Sequence, residues 1–275
     1  YVDKNGEPLK GAQTIQGKQV YFNDYNGLQV RDGFASNEHF YDKDGNLVTD
    51  SYVFSTKYNY NNTIYPFYVD KNGDKLKGEQ IINGKSVYFD KYDGAQVRNS
   101  VADNGRFYNQ DGNLVDLGKK HYVFIDNHWF YVDEDGKILK GEQVIDGNNF
   151  YFDKDGKQVK GNFAENGAYY DENSGVQVTN RYVNFNNNWY RIGAKGTPLK
   201  GAHVVDGHNV FFDQDGKQIK GDFASDGYYY SKNSGDRVDL GQNHYQNINN
   251  NWYYIGNDGK RLTGEQEIGR ASCRE

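Results

Sequence analysis

A four-residue string, Lys-Gly-Glu/Ala-Gln or a near copy, begins at Lys10, Lys77, Lys140 and Lys200. It returns as Thr-Gly-Glu-Gln at Thr263, so that successive offsets are 67, 63, 60 and 63 residues. A second ladder keeps the same register: Val20-Tyr21-Phe22, Val87-Tyr88-Phe89, Phe150-Tyr151-Phe152 and Val210-Phe211-Phe212. Self-similarity at a fixed period marks a repeat protein, whose units cannot bury their apolar faces alone and stack on one another. The expected organisation is a single repeat body over residues 1–266. Its modules run approximately 1–67, 68–130, 131–189 and 190–252, with a partial copy at 253–266.

Aliphatic residues are scarce, but 25 Tyr and 16 Phe bring aromatics to 16%. A disordered chain lacks such content, so these rings must stack somewhere. No run of 18 apolar residues exists, and no transmembrane segment is expected. The net charge of −6 is spread over the repeats with no basic stripe, which argues against nucleic acid as a partner. Residue 1 is a Tyr inside a repeat, as expected of a piece cut from a longer chain. The repeat pattern breaks at Glu267, and 267–275, which hold the sole cysteine, Cys273, are expected to be a non-native tail.

The module from Tyr131 to Tyr190 shows the local grammar. Phe130-Tyr131-Val132-Asp133, a turn at Glu134-Asp135-Gly136, and Lys137-Ile138-Leu139-Lys140-Gly141 reads strand, turn, strand. Phe150–Gly161 and Ala168–Val178 repeat the pattern. Asp or Asn followed by Gly between alternating apolar runs is a hairpin signal, because Gly supplies positive φ without a steric cost. No stretch keeps helical periodicity. The expected fold is all-β: a β-solenoid of stacked short β-hairpins, about three per 60-residue module. Isolated hairpins are marginal in water, so rings from successive hairpins must supply the core. Tyr21, Phe22, Tyr88, Phe89, Tyr151, Phe152, Phe211 and Phe212 are assigned to that packing. Trp129, Trp189 and Trp252 keep the period too. The matching stretch of the first module, Tyr58 to Phe67, is longer and lacks Trp.

Asp42-Lys43-Asp44-Gly45, Asp153-Lys154-Asp155-Gly156 and Asp213-Gln214-Asp215-Gly216 resemble the opening of a calcium loop. They lack the flanking helices, a third acidic ligand and the Glu at the twelfth position. Turn chemistry accounts for them: the Asp side chain bonds the backbone two residues on. The six His do not recur as a set, no nucleophile or phosphate-loop motif is present, and the paired carboxylates lie on turns. Neither catalysis, nor a metal, nor a cofactor is expected of this chain.

A more informative constellation is Gln-x-Lys/Arg followed, after eight intervening residues, by an aromatic pair. It occurs as Gln158-Val159-Lys160 with Tyr169-Tyr170 and as Gln218-Ile219-Lys220 with Tyr229-Tyr230. The first two modules give Gln29-Val30-Arg31 with Phe40-Tyr41, and Gln96-Val97-Arg98 with Phe107-Tyr108. Strand alternation puts Gln and the cation on one face. An amide, an ammonium and a ring together match a sugar, which has hydroxyls at its rim and an apolar C–H face. Core packing is the competing role for the same aromatics, and long Lys and Gln stems also cover apolar surface. Sequence alone leaves both roles open for Tyr169 and Tyr229.

The phrases Tyr151–Ala164 and Phe211–Ala224 resemble the glucan-binding repeats of bacterial glucansucrases such as dextransucrase, within the wider cell-wall/choline-binding repeat superfamily. The resemblance spans residues 1–266. It implies a right-handed hairpin solenoid attached to a secreted, extracellular or surface-associated glucosyltransferase whose catalytic domain lies outside this chain. Its partners would be α-glucan polymer or isomalto-oligosaccharide and the catalytic domain of the same parent. By resemblance the sugar-binding residues are Gln158, Lys160 and Tyr169, and Gln218, Lys220 and Tyr229. Gln29, Arg31 and Phe40, with Gln96, Arg98 and Phe107, depart from the pattern. Phe lacks the hydroxyl, and the fork of Arg is not equivalent to Lys. Rival readings are a choline or cell-wall-polymer anchor, toxin-type carbohydrate repeats, and a structural spacer. A choline cage needs several aromatics and no resident cation.

Overall fold

The computed structural model describes residues 1–55 and 64–264; the expected tail and most of the Tyr58–Phe67 stretch lie outside them. The described residues contain β-strands and no helix. The chain divides into two compact units, one of 1–140 with 154–157 and the other of 141–153 with 158–275. Both are built from the same parts. Five-residue antiparallel hairpins such as Gly78–Ile82 with Lys85–Phe89 and Gly201–Val205 with His208–Phe212 come in consecutive pairs. Two-residue hairpins such as Ser100–Val101 with Phe107–Tyr108 and Asp222–Phe223 with Tyr229–Tyr230 follow them.

The aromatic strands pair differently from the sequence expectation. Asn148–Phe152 forms its full ladder with the segment before it, Gly141–Ile145. The connection is Asp146-Gly147, with φ of 50° and 76°. Equivalent turns are Asn83-Gly84, Asp206-Gly207, Asp126-Asn127 and Asn186-Asn187, each positive at both positions. Two left-handed residues match the twist of paired strands, which explains why Asn, Asp and Gly predominate there, Gln16 of the Gln16-Gly17 turn being an exception. The Asp-x-Asp-Gly segments make a narrower turn that adds one bridge, Val132 to Ile138 or Phe152 to Gln158. In these turns Asp42 Oδ1 accepts the N–H groups of Asp44 and Asn46 at 2.9 and 2.8 Å. Asp133 and Asp213 accept the equivalent pairs.

Each five-residue hairpin ends on a residue sealed from water. Phe22, Val69, Phe89 and Val132 in the first unit, and Phe152, Ile192, Phe212 and Ile255 in the second, are at most 2% exposed. Each short hairpin contributes a buried tyrosine: Tyr41, Tyr108, Tyr170 or Tyr230. These rings take the packing partners expected of the aromatic ladder. Tyr21–Tyr41, Tyr88–Tyr108, Tyr151–Tyr170 and Phe211–Tyr230 have centroids 5.8, 5.8, 5.9 and 5.8 Å apart. Their hydroxyls are satisfied four residues upstream: Asn37, Asn104 and Asn166 donate to the first three, and Tyr230 donates to Asp226 at 2.7 Å. Burial, followed by the Asp226 carboxylate, pushes the Tyr230 phenol well above the usual tyrosine range.

Backbone bonds then stitch each hairpin to one further along. In the first unit Leu47 N–H donates to Gln19 O, Gln96 to Pro66, Leu114 to Ser86 and Ile138 to Gly105, over 2.7–2.9 Å. In the second, Gln177 donates to Asn149 and Gln218 to Trp189, both at 2.8 Å. Stability therefore arises between hairpins.

One turn of the second unit carries a titratable clamp. Asp171 accepts the N–H of Ser174, the guanidinium of Arg181 and the N–H of Asn173, which hold its carboxyl well below the usual range. A depressed folded-state pKa contributes stability above the unfolded value of about 3.9 and loses it as pH falls toward the folded value. The melting temperature should therefore fall more steeply between about pH 4 and about pH 2 in the wild type than in Asp171→Asn. Identical acid limbs in the two proteins would show that this clamp does not contribute.

Candidate functional site

In the second unit polar and aromatic groups meet in a cleft of about 330 Å³ where successive hairpins join. Tyr182 and Trp189 come from hairpin Arg181–Ile192, Val205 and His208 from hairpin Gly201–Phe212, and Gln218 and Lys220 from the segment that follows, which Gln218 bridges to Phe212. Ser234 and Asp236 close the far side. Trp189 is 44% exposed, although it is a large apolar group within a ladder. The Lys220 ammonium lies 5.7 Å from its ring centroid. Arg191 covers the Tyr182 ring at 5.3 Å, and His208 Nδ1 lies 2.9 Å from Asp236 Oδ1. The cleft thus offers one indole face, one ammonium, one amide and two carboxylates, Asp206 and Asp236.

The first unit repeats this arrangement in a cleft of about 360 Å³. Tyr52 stands where Tyr182 does, Arg98 where Lys220 does, and Lys85 and Asn113 where His208 and Asp236 do. Register puts Pro66 in place of Trp189, and the exposed ring of Phe54 lines the cleft instead. Arg98 donates twice to Gln96 Oε1, at 3.0 and 2.9 Å, which fixes the guanidinium fork along the wall.

Each residue singled out from sequence can now be placed. Gln218 and Lys220 share one cleft, and Arg98 lines the other with the buried Gln96 behind it. In the first module Arg31 donates to Gln29 Oε1 at 2.8 Å. Lys160, next to Gln158 in its motif, donates to the carbonyl of Asn173 at 3.1 Å. The downstream aromatics pack inward. Tyr169 is 7% exposed in a cluster with Val178, Val183, Tyr190 and Ile192, while Phe40 and Phe107 sit in comparable clusters. Tyr229 is half-buried, its ring 5.4 Å from Phe223, and it does not line the cleft of Gln218 and Lys220.

Sequence reasoning missed two contributors. Tyr182 and Trp189 lie upstream of Gln218, and only the bond from Gln218 N–H to Trp189 O brings them beside it. The Trp period was a visible signal without a contact to interpret it. The other is glycine. A Cβ at Gly45, Gly112, Gly175 or Gly235 would stand 2.2–2.4 Å from Nε2 of Gln29, Gln96, Gln158 or Gln218 respectively. Each motif glutamine therefore lies against a glycine of the next turn, which restricts its amide, and in the first two motifs that amide holds the arginine beside it.

The sequence model of the choline-binding repeat family matches residues 139–182 and 199–239. Glucosyltransferase-S of Streptococcus mutans is 33% identical over 253 residues, covering 86% of this chain and 17% of that protein. Glucosyltransferase-I of Streptococcus downei is 31% identical over 281 residues, 96% of this chain and 17% of that protein. The chain thus spans about a sixth of the length of these relatives. Among solved structures, choline-binding protein F of Streptococcus pneumoniae aligns over 92% of this chain and 98% of its own, at 15% identity and a TM-score of 0.43. Alternansucrase in complex with isomaltononaose aligns over 91% of this chain and 18% of its own, at 26% identity and a TM-score of 0.31.

The glutamine–glycine contact yields a direct test in the first unit. Gly84 has φ of 77° and open space at its Cβ, whereas Gly112 has φ of 79° and faces the buried Gln96 amide. Gly84→Ala should cost about 1–2 kcal/mol for the left-handed backbone alone. Gly112→Ala should cost about 1–3 kcal/mol more through overpacking, read as urea midpoints. Equal losses would mean the glutamine yields freely.

Proposed function

We propose that the chain, which is similar to choline-binding repeats and to part of the streptococcal glucosyltransferases, is a non-catalytic module that binds α-glucan. In this reading its hairpins wind as a β-solenoid, and the parent is a secreted glucosyltransferase of the dextransucrase kind. The observation that carries the reading is the cleft in which Trp189, Gln218 and Lys220 meet. An exposed indole takes the C–H face of a glucosyl ring. The ammonium donates to ring hydroxyls, the amide donates and accepts, and Asp236 accepts. The cleft of Tyr52, Phe54 and Arg98 is its counterpart. The glutamines position the cations as well as meeting the ligand. Tyr169, Phe40 and Phe107 act through the core beneath their motifs, and Tyr229 supports Phe223.

A quaternary ammonium is the alternative that the family match favours. It would have to occupy the aromatic face on which Lys220 already lies, next to a like charge, and electrostatics oppose that. Neutral glucan meets no such penalty. A single shallow cleft gives millimolar affinity, about −4 kcal/mol. Several clefts on one chain, meeting a polymer of identical units, raise the apparent affinity by roughly 10² to 10⁴. The module thereby keeps polymer close to the catalytic domain of its parent and holds that parent in the extracellular glucan.

Affinity electrophoresis through gels containing dextran tests this, with a choline resin alongside. The wild type should be retarded by dextran. Trp189→Ala should weaken retardation about tenfold, equivalent to roughly 1.4 kcal/mol. Tyr229→Ala should leave it near the wild-type value. Raising salt to about 1 M, where screening acts within roughly 3 Å, should change little because the glucan is uncharged. Retention on choline without retardation by dextran would move the chain to the anchor reading. Neither behaviour would leave a structural spacer.

A further inference from the structure

The first unit holds a third cleft, of about 230 Å³, at a hairpin junction that has no Gln-x-Lys/Arg motif. Its register matches the other two. Ile125, Asp126, His128 and Phe130 stand around their turn as Ile82, Asn83, Lys85 and Val87 stand around theirs. Asp155 and Lys157 precede the bridge residue Gln158 by three and one positions, as Asp111 and Asn113 precede Leu114. The place of Gln96, which bridges Phe89, is taken by Ile138, which bridges Val132 and is 4% exposed. A buried aliphatic group replaces the amide, and the preceding element is the short hairpin Ser100–Val101 with Phe107–Tyr108. The cleft therefore arises from hairpin stacking itself, and the motif is not needed to form it.

Its chemistry differs from that of the other two chiefly in its floor. The floor is Phe107 and Phe130, both buried, with Val101 and Ile125. The rim carries two carboxylates, Asp126 and Asp155, beside the donors Asn99, Ser100, His128 and Lys157. Asn99 Nδ2 donates to Asp126 Oδ2 at 2.9 Å, and His128 Nδ1 lies 2.6 Å from Asp126 O, so the rim is held as a unit. Carboxylates accept from hydroxyls, amide and ammonium donate to them, and an aromatic floor meets C–H groups. That combination suits one uncharged polyhydroxylated ring. A phosphate would face both carboxylates.

We infer that this motif-free cleft is an additional glycosyl-binding site, which takes a single sugar ring by its polar rim in place of an exposed aromatic platform. The inference rests on the reading of the chain as a glucan-binding module, but its residues are separate from those of the two motif clefts. Titration of the ¹⁵N-labelled full chain with isomaltotriose, followed by amide shifts, distinguishes the two levels. Shifts are expected at Ser100, His128 and the Asn99 side-chain amide. They should persist in a Phe54→Ala/Trp189→Ala double variant, which disables the other clefts. Ser100→Trp, placed at the mouth, and His128→Ala should each reduce the response around this cleft at least fivefold while leaving that at Gln218 unchanged. Shifts at Gln218 and Arg98 with none at Asn99, Ser100 or His128 would overturn this inference alone. Shifts nowhere would overturn both it and the glucan reading.

Discussion

No hairpin in this chain can stand by itself. An isolated two-stranded hairpin is marginal in water, and burying one side chain at its end does not offset the entropy of ordering its backbone. The rest comes from packing between hairpins, and a backbone bond, such as Leu114 N–H to Ser86 O, sets one hairpin on another further on. A ring pair such as Tyr88–Tyr108 closes the space between them. This inter-hairpin bond also determines where function can reside. At the turns Asn83-Gly84, Asp126-Asn127 and Asp206-Gly207 a cleft opens beside the left-handed pair, between neighbouring elements. The three clefts with matching registers around residues 82–87, 125–130 and 205–210 follow from that constraint.

How much of this could be read from the sequence depended on the range of the contact. The repeat, the all-β character and the stacking of Tyr21, Tyr88, Tyr151 and Phe211 follow from periodicity and aromatic content. The role of the Asp-x-Asp-Gly turns was also legible, because an Asp that bonds the N–H two residues on is a local matter. Strand pairing was less so: two turn types alternate along the chain, and the less conspicuous Asp-Gly, Asn-Gly or Asn-Asn pair makes the ladder. The ring beside Gln218 was not legible. Trp189 reaches it across a hairpin boundary through a backbone bond, and side-chain alternation within one strand contains no information about that. Tyr169 and Tyr229, separated from their motifs by eight intervening residues, are near in sequence but belong to the layer beneath.

The motif itself acquires a different meaning in three dimensions. Its glutamine rests on a glycine with left-handed φ, so Gln96 and Gly112 behave as one element that fixes Arg98, and Gln218 and Gly235 as another beside Lys220. On the proposed reading the cation beside the ring selects the ligand: an ammonium on the Trp189 face opposes a second cation and tolerates a neutral ring.

In the proposed site the sugar-facing aromatic comes from hairpin Arg181–Ile192, one hairpin further upstream than the one that leads into the Gln-x-Lys motif. A crystal structure of this chain with isomaltotriose is the most direct test. A glucosyl ring should stack on Trp189, with hydroxyls bonded to Lys220 and Gln218. A ring stacked on Tyr229, with Trp189 bare, would contradict it.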